Sequence, residues 1–126
     1  MEARPNIVLI VSDQHSPHFL GFAGGSPART PHLDRLAAAG VALDASYCAA
    51  PLWVPSRMTP MAGQYCSGIG VWTNNCMLPS HVPTFAHSLT AAGYDVVLGG
   101  RMHFVGPDQR HGFQARIIGD ALSALP

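Results

Sequence analysis

Residues 6–11 read Asn-Ile-Val-Leu-Ile-Val and run directly into Ser12-Asp13-Gln14-His15. A continuous β-branched, apolar run of this length suits a strand covered on both faces, as in a parallel sheet, and not a half-solvated strand that alternates. Polar groups collect where the run ends, and ligands of open α/β sheets bind beyond the carboxyl ends of the strands. The run Ile7–Val11 is too short for the apolar stretch of a signal peptide or for a membrane span. Together with three cysteines in no CxxC spacing, Cys48, Cys66 and Cys76, it points to a cytoplasmic protein with free thiols.

The rest of the chain alternates between the same kinds of element. Residues 15–29 are rich in Gly and Pro and read as a long loop. Thr30 is placed to cap a helix whose first residue is Pro31, with Leu33, Leu36 and Ala37 on one face and Gly40 at the stop. Val41–Tyr47 has the alternation of a strand. Pro55 opens a second helix towards Gly63, with Pro60 inside it, where a proline costs about 3 kcal/mol or kinks the axis. Pro83 opens a third helix, with Phe85 and Leu89 at i, i+4 and Gly93 at the stop. Tyr94–Leu98 is a second buried strand, which empties into Gly100-Arg101-Met102-His103-Phe104, and a further strand is expected near Arg116–Ile118. This order predicts a single α/β layered domain. The strands at 6–11 and 94–98 are expected to be adjacent and parallel, with Asp13 and His103 at one sheet edge.

With 126 residues, 48% hydrophobic and 11% charged, and a formal net charge of zero, the chain is core-rich and carries no field that would attract nucleic acid or a membrane surface. All seven basic residues are arginines. His15, His18, His32, His81, His87 and His111 show no tight metal-ligand spacing.

Three polar clusters next to strand or helix ends carry the chemistry: Ser12-Asp13-Gln14-His15, Pro55-Ser56-Arg57, and Gly100-Arg101-Met102-His103-Phe104. In this order and spacing, with "TPHLDRLAAAGVALDASYCAAP", "VPSRMTPMAGQY" and "GYDVVLGGRMHFVGPDQRHGF" around them, the chain resembles the sulfatase family of the alkaline-phosphatase-like superfamily. The closest resemblance is to the choline sulfatase and phosphonate monoester hydrolase branch. It extends from residue 5 to about residue 120. It implies a three-layer α/β fold with a mostly parallel sheet and flanking helices, of which residues 1–126 would be an N-terminal part. It also implies metal-dependent hydrolysis of sulfate esters by a formylglycine made from a Cys or Ser, with calcium, or else magnesium or manganese, holding the sulfate oxygens. A small sulfate or phosphonate ester would be the substrate.

Carried over residue by residue, the resemblance makes Asp13 the first metal aspartate and Gln14 the neighbour that is a second aspartate in many members. Arg57 becomes the arginine that stabilises the formylglycine. Arg101 stands in the place of a sulfate-binding lysine. His103 is the histidine that helps break down the sulfated intermediate, and Asn75 lies near an asparagine that contacts the ester.

Three departures bear on activity. Trp53 occupies the nucleophile position, and an indole has no thiol or hydroxyl to convert or to attack with. Arg101 keeps the lysine's charge but presents a planar fork in place of a point charge. The family's second metal cluster lies in sequence beyond Pro126. The chain is therefore expected to be inactive alone. The alternatives are a non-catalytic protein that binds an anion or a partner, and a phosphonate or phosphate monoester hydrolase. Self-association through exposed apolar surface is expected as well, because strands made for a large sheet lose neighbours here.

Overall fold

The computed structural model describes residues 4–119, and the chain divides into two compact units, Met1–Ser46 and Tyr47–Pro126.

In the first unit the predicted strand at 6–11 does not form. Residues 4–12 form no helix or strand, and Val8 and Ile10 are 80% and 84% exposed. The same holds for the predicted strand at 41–47, where Val41 and Leu43 lie in solvent. The composition suits strands, but a strand exists only where a neighbour takes up its N–H and C=O groups. Among the described residues the one sheet is elsewhere.

What does form is local. Two 3₁₀ turns, Pro17–Phe19 and Gly21–Ala23, precede helix α1, Pro31–Ala39. Pro31 and Gly40 bound α1 as expected, but Thr30 does not cap it with its side chain. The Thr30 hydroxyl instead accepts from the Gly21 amide at 2.8 Å and donates to Asp34 Oδ1 at 2.8 Å, and Asp34 Oδ1 also accepts from the Phe22 amide at 3.0 Å. The first turn of α1 thus ties down the loop before it. A Cβ on Gly21 would lie 2.7 Å from Asp34 Oδ2, so a side chain there would have to push the Asp34 carboxylate out of this tether.

The second unit holds the core. Helix α2, Trp53–Ala62, begins two residues ahead of Pro55. Pro55 is the third residue of the helix, where its missing N–H is one of those with no partner in any case. The first α-helical bond runs from the Ser56 amide to the Leu52 carbonyl at 2.9 Å. Val54, Met58 and Met61 form the buried face of α2, and Gly63 ends it in the left-handed conformation at φ 63°. A short helix not expected from the sequence, α3 at Cys66–Ile69, packs on α2.

Helix α4, Phe85–Ala91, starts after Thr84, which forms a capping box with His87 in the place usually held by Glu or Gln. The Thr84 amide donates to His87 Nδ1 at 3.1 Å, and the Thr84 hydroxyl donates to the His111 carbonyl at 2.6 Å. Strands β1, Val97–Gly99, and β2, Ala115–Ile118, pair in parallel, with Leu98 opposite Arg116 and an irregularity between Leu98 and Gly99.

The strand expected at Tyr94–Leu98 is therefore shorter and shifted, and Val97 is half exposed between buried Val96 and Leu98. A two-stranded sheet offers only one covered face, so burial alternates. Gln114 lengthens the ladder with its side chain: its Oε1 accepts from the Val96 amide at 2.7 Å while its own amide donates to the Val96 carbonyl at 2.9 Å.

Two outcomes test this picture. The purified chain should bind a hydrophobic fluorescent dye, and an Ile10→Asp variant should bind less of it with an unchanged urea midpoint. Thr84→Ala, which removes a cap and strands a buried carbonyl, should lower unfolding free energy by about 1–2 kcal/mol in urea titrations.

Candidate active site

Trp53 and Arg57 stand one turn apart on α2, so their side chains share a face of that helix. His103 comes to the same place from the loop after β1. Arg57 Nη1 lies 2.5 Å from His103 Nδ1, and the Trp53 and His103 rings are 5.7 Å apart, centroid to centroid, at a tilt of 38°. Residues 53, 57 and 103, singled out by their motifs, thus form one cluster in the second unit. His103 has φ 55°, a left-handed conformation that a non-glycine residue holds only where its surroundings impose it.

Those surroundings can be named. Gln109 Nε2 donates to the carbonyls of Phe104 and Gly106 at 2.8 and 2.7 Å. Arg116 on β2 donates in turn to Gln109 Oε1 at 2.9 Å, and its guanidinium lies 5.5 Å from the centroid of the Phe104 ring. The loop carrying His103 is therefore held by the Gly-Pro-Asp-Gln segment and, through it, by the sheet.

Below this loop lies His111, 1% exposed, with its ring 4.6 Å from that of Phe104 and its Nδ1 3.3 Å from Asp108 Oδ2. Burial pushes the His111 imidazole below its ordinary value, against the pull of Asp108 and with the help of His87. Partial burial works to raise the Asp108 carboxyl, but the amides of His111 and Arg110, each 3.0 Å from Oδ1, and the charges of His111 and His87 outweigh it and hold it low.

The other predicted site residues are placed differently. Asp13 and Gln14 lie exposed in a turn of the first unit, Gln14 with φ 56°. Arg101 is exposed, two residues before His103. Asn75 is exposed in the turn at 73–76, and it is the neighbouring Asn74 that reaches α2, where its Oδ1 accepts from the Val54 amide at 3.0 Å. Asn74, Asp108, Gln109 and His111 were missed as functional candidates. The "GPDQRHGF" motif was the available signal for the last three, while an Asn-Asn pair offers no basis for choosing its first member.

No group of three or more His, Cys, Asp or Glu among the described residues could hold a metal ion. Asp13 and Gln14 are hard oxygen donors of the right kind, but two such side chains fall short of the six to eight oxygens that calcium takes. The described residues do not make up a metal site by themselves.

Two nucleophilic side chains lie close to Trp53 in sequence, and each is engaged by a backbone carbonyl. The Ser56 hydroxyl donates to the Trp53 carbonyl at 3.1 Å, and Cys48 Sγ donates to the Ala50 carbonyl at 2.8 Å. Cys48 and Ser56 line an open cavity of about 390 Å³ with Tyr47, Pro60 and Tyr65, which Trp53, Arg57 and His103 do not line. What the cluster offers is one permanent cation, one imidazole and an aromatic wall.

The sulfatase family model matches residues 5–125. The chain belongs to the sulfatase family. It is 39% identical over 121 residues to a choline-sulfatase of Rhizobium meliloti, an alignment that covers 96% of this chain and 24% of that protein. It is 37% identical over 112 residues to human steryl-sulfatase, covering 80% and 19% of the two chains. An ulvan-active sulfatase of Formosa agariphila is 35% identical over 103 residues, covering 82% and 20%. The chain thus spans about a fifth to a quarter of the length of these relatives. The small parallel sheet with its helices agrees with the family's α/β fold, of which it is too small to form the whole. The family generally uses a divalent metal.

The buried His111 fixes a pH dependence. Its folded pKa lies below the unfolded value, so its share of stability is complete above about pH 6.5 and is lost as pH falls below it. Asp108, shifted down, adds a second loss only below about pH 4. Thermal midpoints should therefore fall between pH 7 and 5, and a His111→Leu variant, which cannot titrate there, should lose most of that slope.

Proposed function

We propose that this chain supplies the nucleophile side of a sulfate-ester site and, with tryptophan at position 53, binds the oxyanion without turning the ester over. The observation that carries the proposal is the Arg57–His103 contact at 2.5 Å, with the Trp53 ring 5.7 Å from that of His103: a cation and an imidazole gathered beside the residue that the sulfatase resemblance puts in the nucleophile's place. Hydrolysis in sulfatases through a covalent intermediate needs an activated oxygen at that position, and Trp53 has none. Arg57 and His103, joined by Arg101, would supply the hydrogen bonds that a sulfate or phosphonate oxygen needs. Asp13 and Gln14 would contribute only part of a calcium ion's oxygen shell, and no step is routed through that ion. Small sulfate esters, as in the name of the choline-sulfatase relative, are the substrate class. A cytoplasmic setting belongs to the same proposal and agrees with the free thiols of Cys48, Cys66 and Cys76.

A non-catalytic anion-binding protein is the second reading, and the packing of Trp53 against His103 favours it, since an aromatic wall suits binding more than attack. Both readings predict sulfate binding and no turnover by residues 1–126; they differ on whether Trp53→Cys would turn an ester over in a chain extended to the length of the relatives.

The test has two arms. In a Trp72→Phe background, which leaves Trp53 as the one indole, sulfate should change the tryptophan emission in a saturable way. Arg57→Ala should weaken that binding about tenfold or more, as for a lost charge-assisted hydrogen bond. The chain should release no phenol from an aryl sulfate, and Trp53→Cys alone should not restore release. Absence of any sulfate response would sink the binding proposal. Turnover by Trp53→Cys would show that residues 1–126 are sufficient for catalysis.

A further inference from the structure

Arg57 and His103 meet through nitrogen on both sides, and the chemistry of the two groups settles which one donates. A guanidinium has five N–H donors, no acceptor, and does not lose its proton in a protein. His103 Nδ1, at 2.5 Å from Arg57 Nη1, can take part in that contact only as an acceptor, with its lone pair directed at the arginine. An imidazolium would turn N–H against N–H and add charge repulsion. A neutral ring that accepts at Nδ1 carries its proton at Nε2. The ring is also held in place. Its backbone is left-handed, the carbonyl of the next residue is fixed by Gln109, and Trp53 lies 5.7 Å away, centroid to centroid.

We propose that Arg57 is a positioning residue that locks His103 as the Nε2–H tautomer, so that His103 meets a bound oxyanion as a hydrogen-bond donor and not as a base. The use of that donor towards an oxyanion rests on the function proposed above, whereas the tautomer does not.

Long-range proton–nitrogen correlation spectra of the ¹⁵N-labelled chain at mildly alkaline pH read the tautomer directly, with the His103 signals assigned by their loss in His103→Gln. His103 should show an unprotonated Nδ1 and a protonated Nε2. In Arg57→Ala the share of the Nδ1–H tautomer should rise measurably, and Arg57→Lys, which keeps a cationic donor, should recover part of the bias. His87 is the internal control. Its Nδ1 accepts from the Thr84 amide at 3.1 Å, so its Nε2–H pattern should persist in both variants, and its persistence also reports that the second unit is still folded. A His103 that is mainly Nδ1–H in the unsubstituted chain would overturn the proposal, even if both variants failed to fold. So would an unchanged Nε2–H pattern in a folded Arg57→Ala. Adding sulfate should shift the Nε2 proton. A correct tautomer with no sulfate response would remove the oxyanion-binding function and leave the positioning role of Arg57 standing.

Discussion

The Thr84 hydroxyl to the His111 carbonyl, 2.6 Å and buried, is the contact on which the second unit depends. Thr84 begins α4, and His111 lies four residues before β2. By joining them, and with the Thr90 hydroxyl of α4 donating to the Gly112 carbonyl at 3.1 Å, that contact brings the end of the "GPDQRHGF" loop onto the helix and lets β2 return beside β1. Parallel strands need a crossover between them. Here the crossover is an irregular loop and not a helix, so its path must be pinned by side chains. Asp108, Gln109 and Arg116 do the remaining pinning through the amides of Arg110 and His111, the carbonyls of Phe104 and Gly106, and one another. His103 inherits its place from that network.

What could be read from the sequence was whatever depends on near neighbours. Pro31 and Gly40 bound α1, Gly63 ends α2, and β2 appears around Arg116–Ile118, because caps, breakers and β-branched runs act within a few residues. The two strands that fail to appear, at 6–11 and 41–47, had the right residues and no partner. A strand's stability is set by what lies beside it, which residues 6–11 do not encode. The start of α2 at Trp53 was hidden for a related reason. Pro55 marks a position within the first turn and not its first residue, and Asn74, twenty residues on, takes one of the early amides.

The candidate site divides along the same line. The "VPSR" and "GRMHF" motifs single out Arg57 and His103, and the two side chains meet in the second unit. Neither motif could announce that Arg57 would touch His103 itself, nor that Trp53 would lie against its ring. An indole at position 53 presents a surface, where a thiol or hydroxyl would present an attacking atom. Arg57 stands on α2, and His103 stands on the loop that Gln109 and Arg116 hold.

The tether in the first unit has a consequence of another kind. Gly21 is pressed against the Asp34 carboxylate so closely that a single methyl group would collide with it, and Thr30 hydrogen-bonds to both. A side chain at 21 would have to turn the Asp34 carboxylate aside, and in turning it would draw the acceptor away from the Thr30 hydroxyl and the Phe22 amide. The room at position 21 and the two hydrogen bonds to Asp34 Oδ1 are thus one constraint, met or lost together.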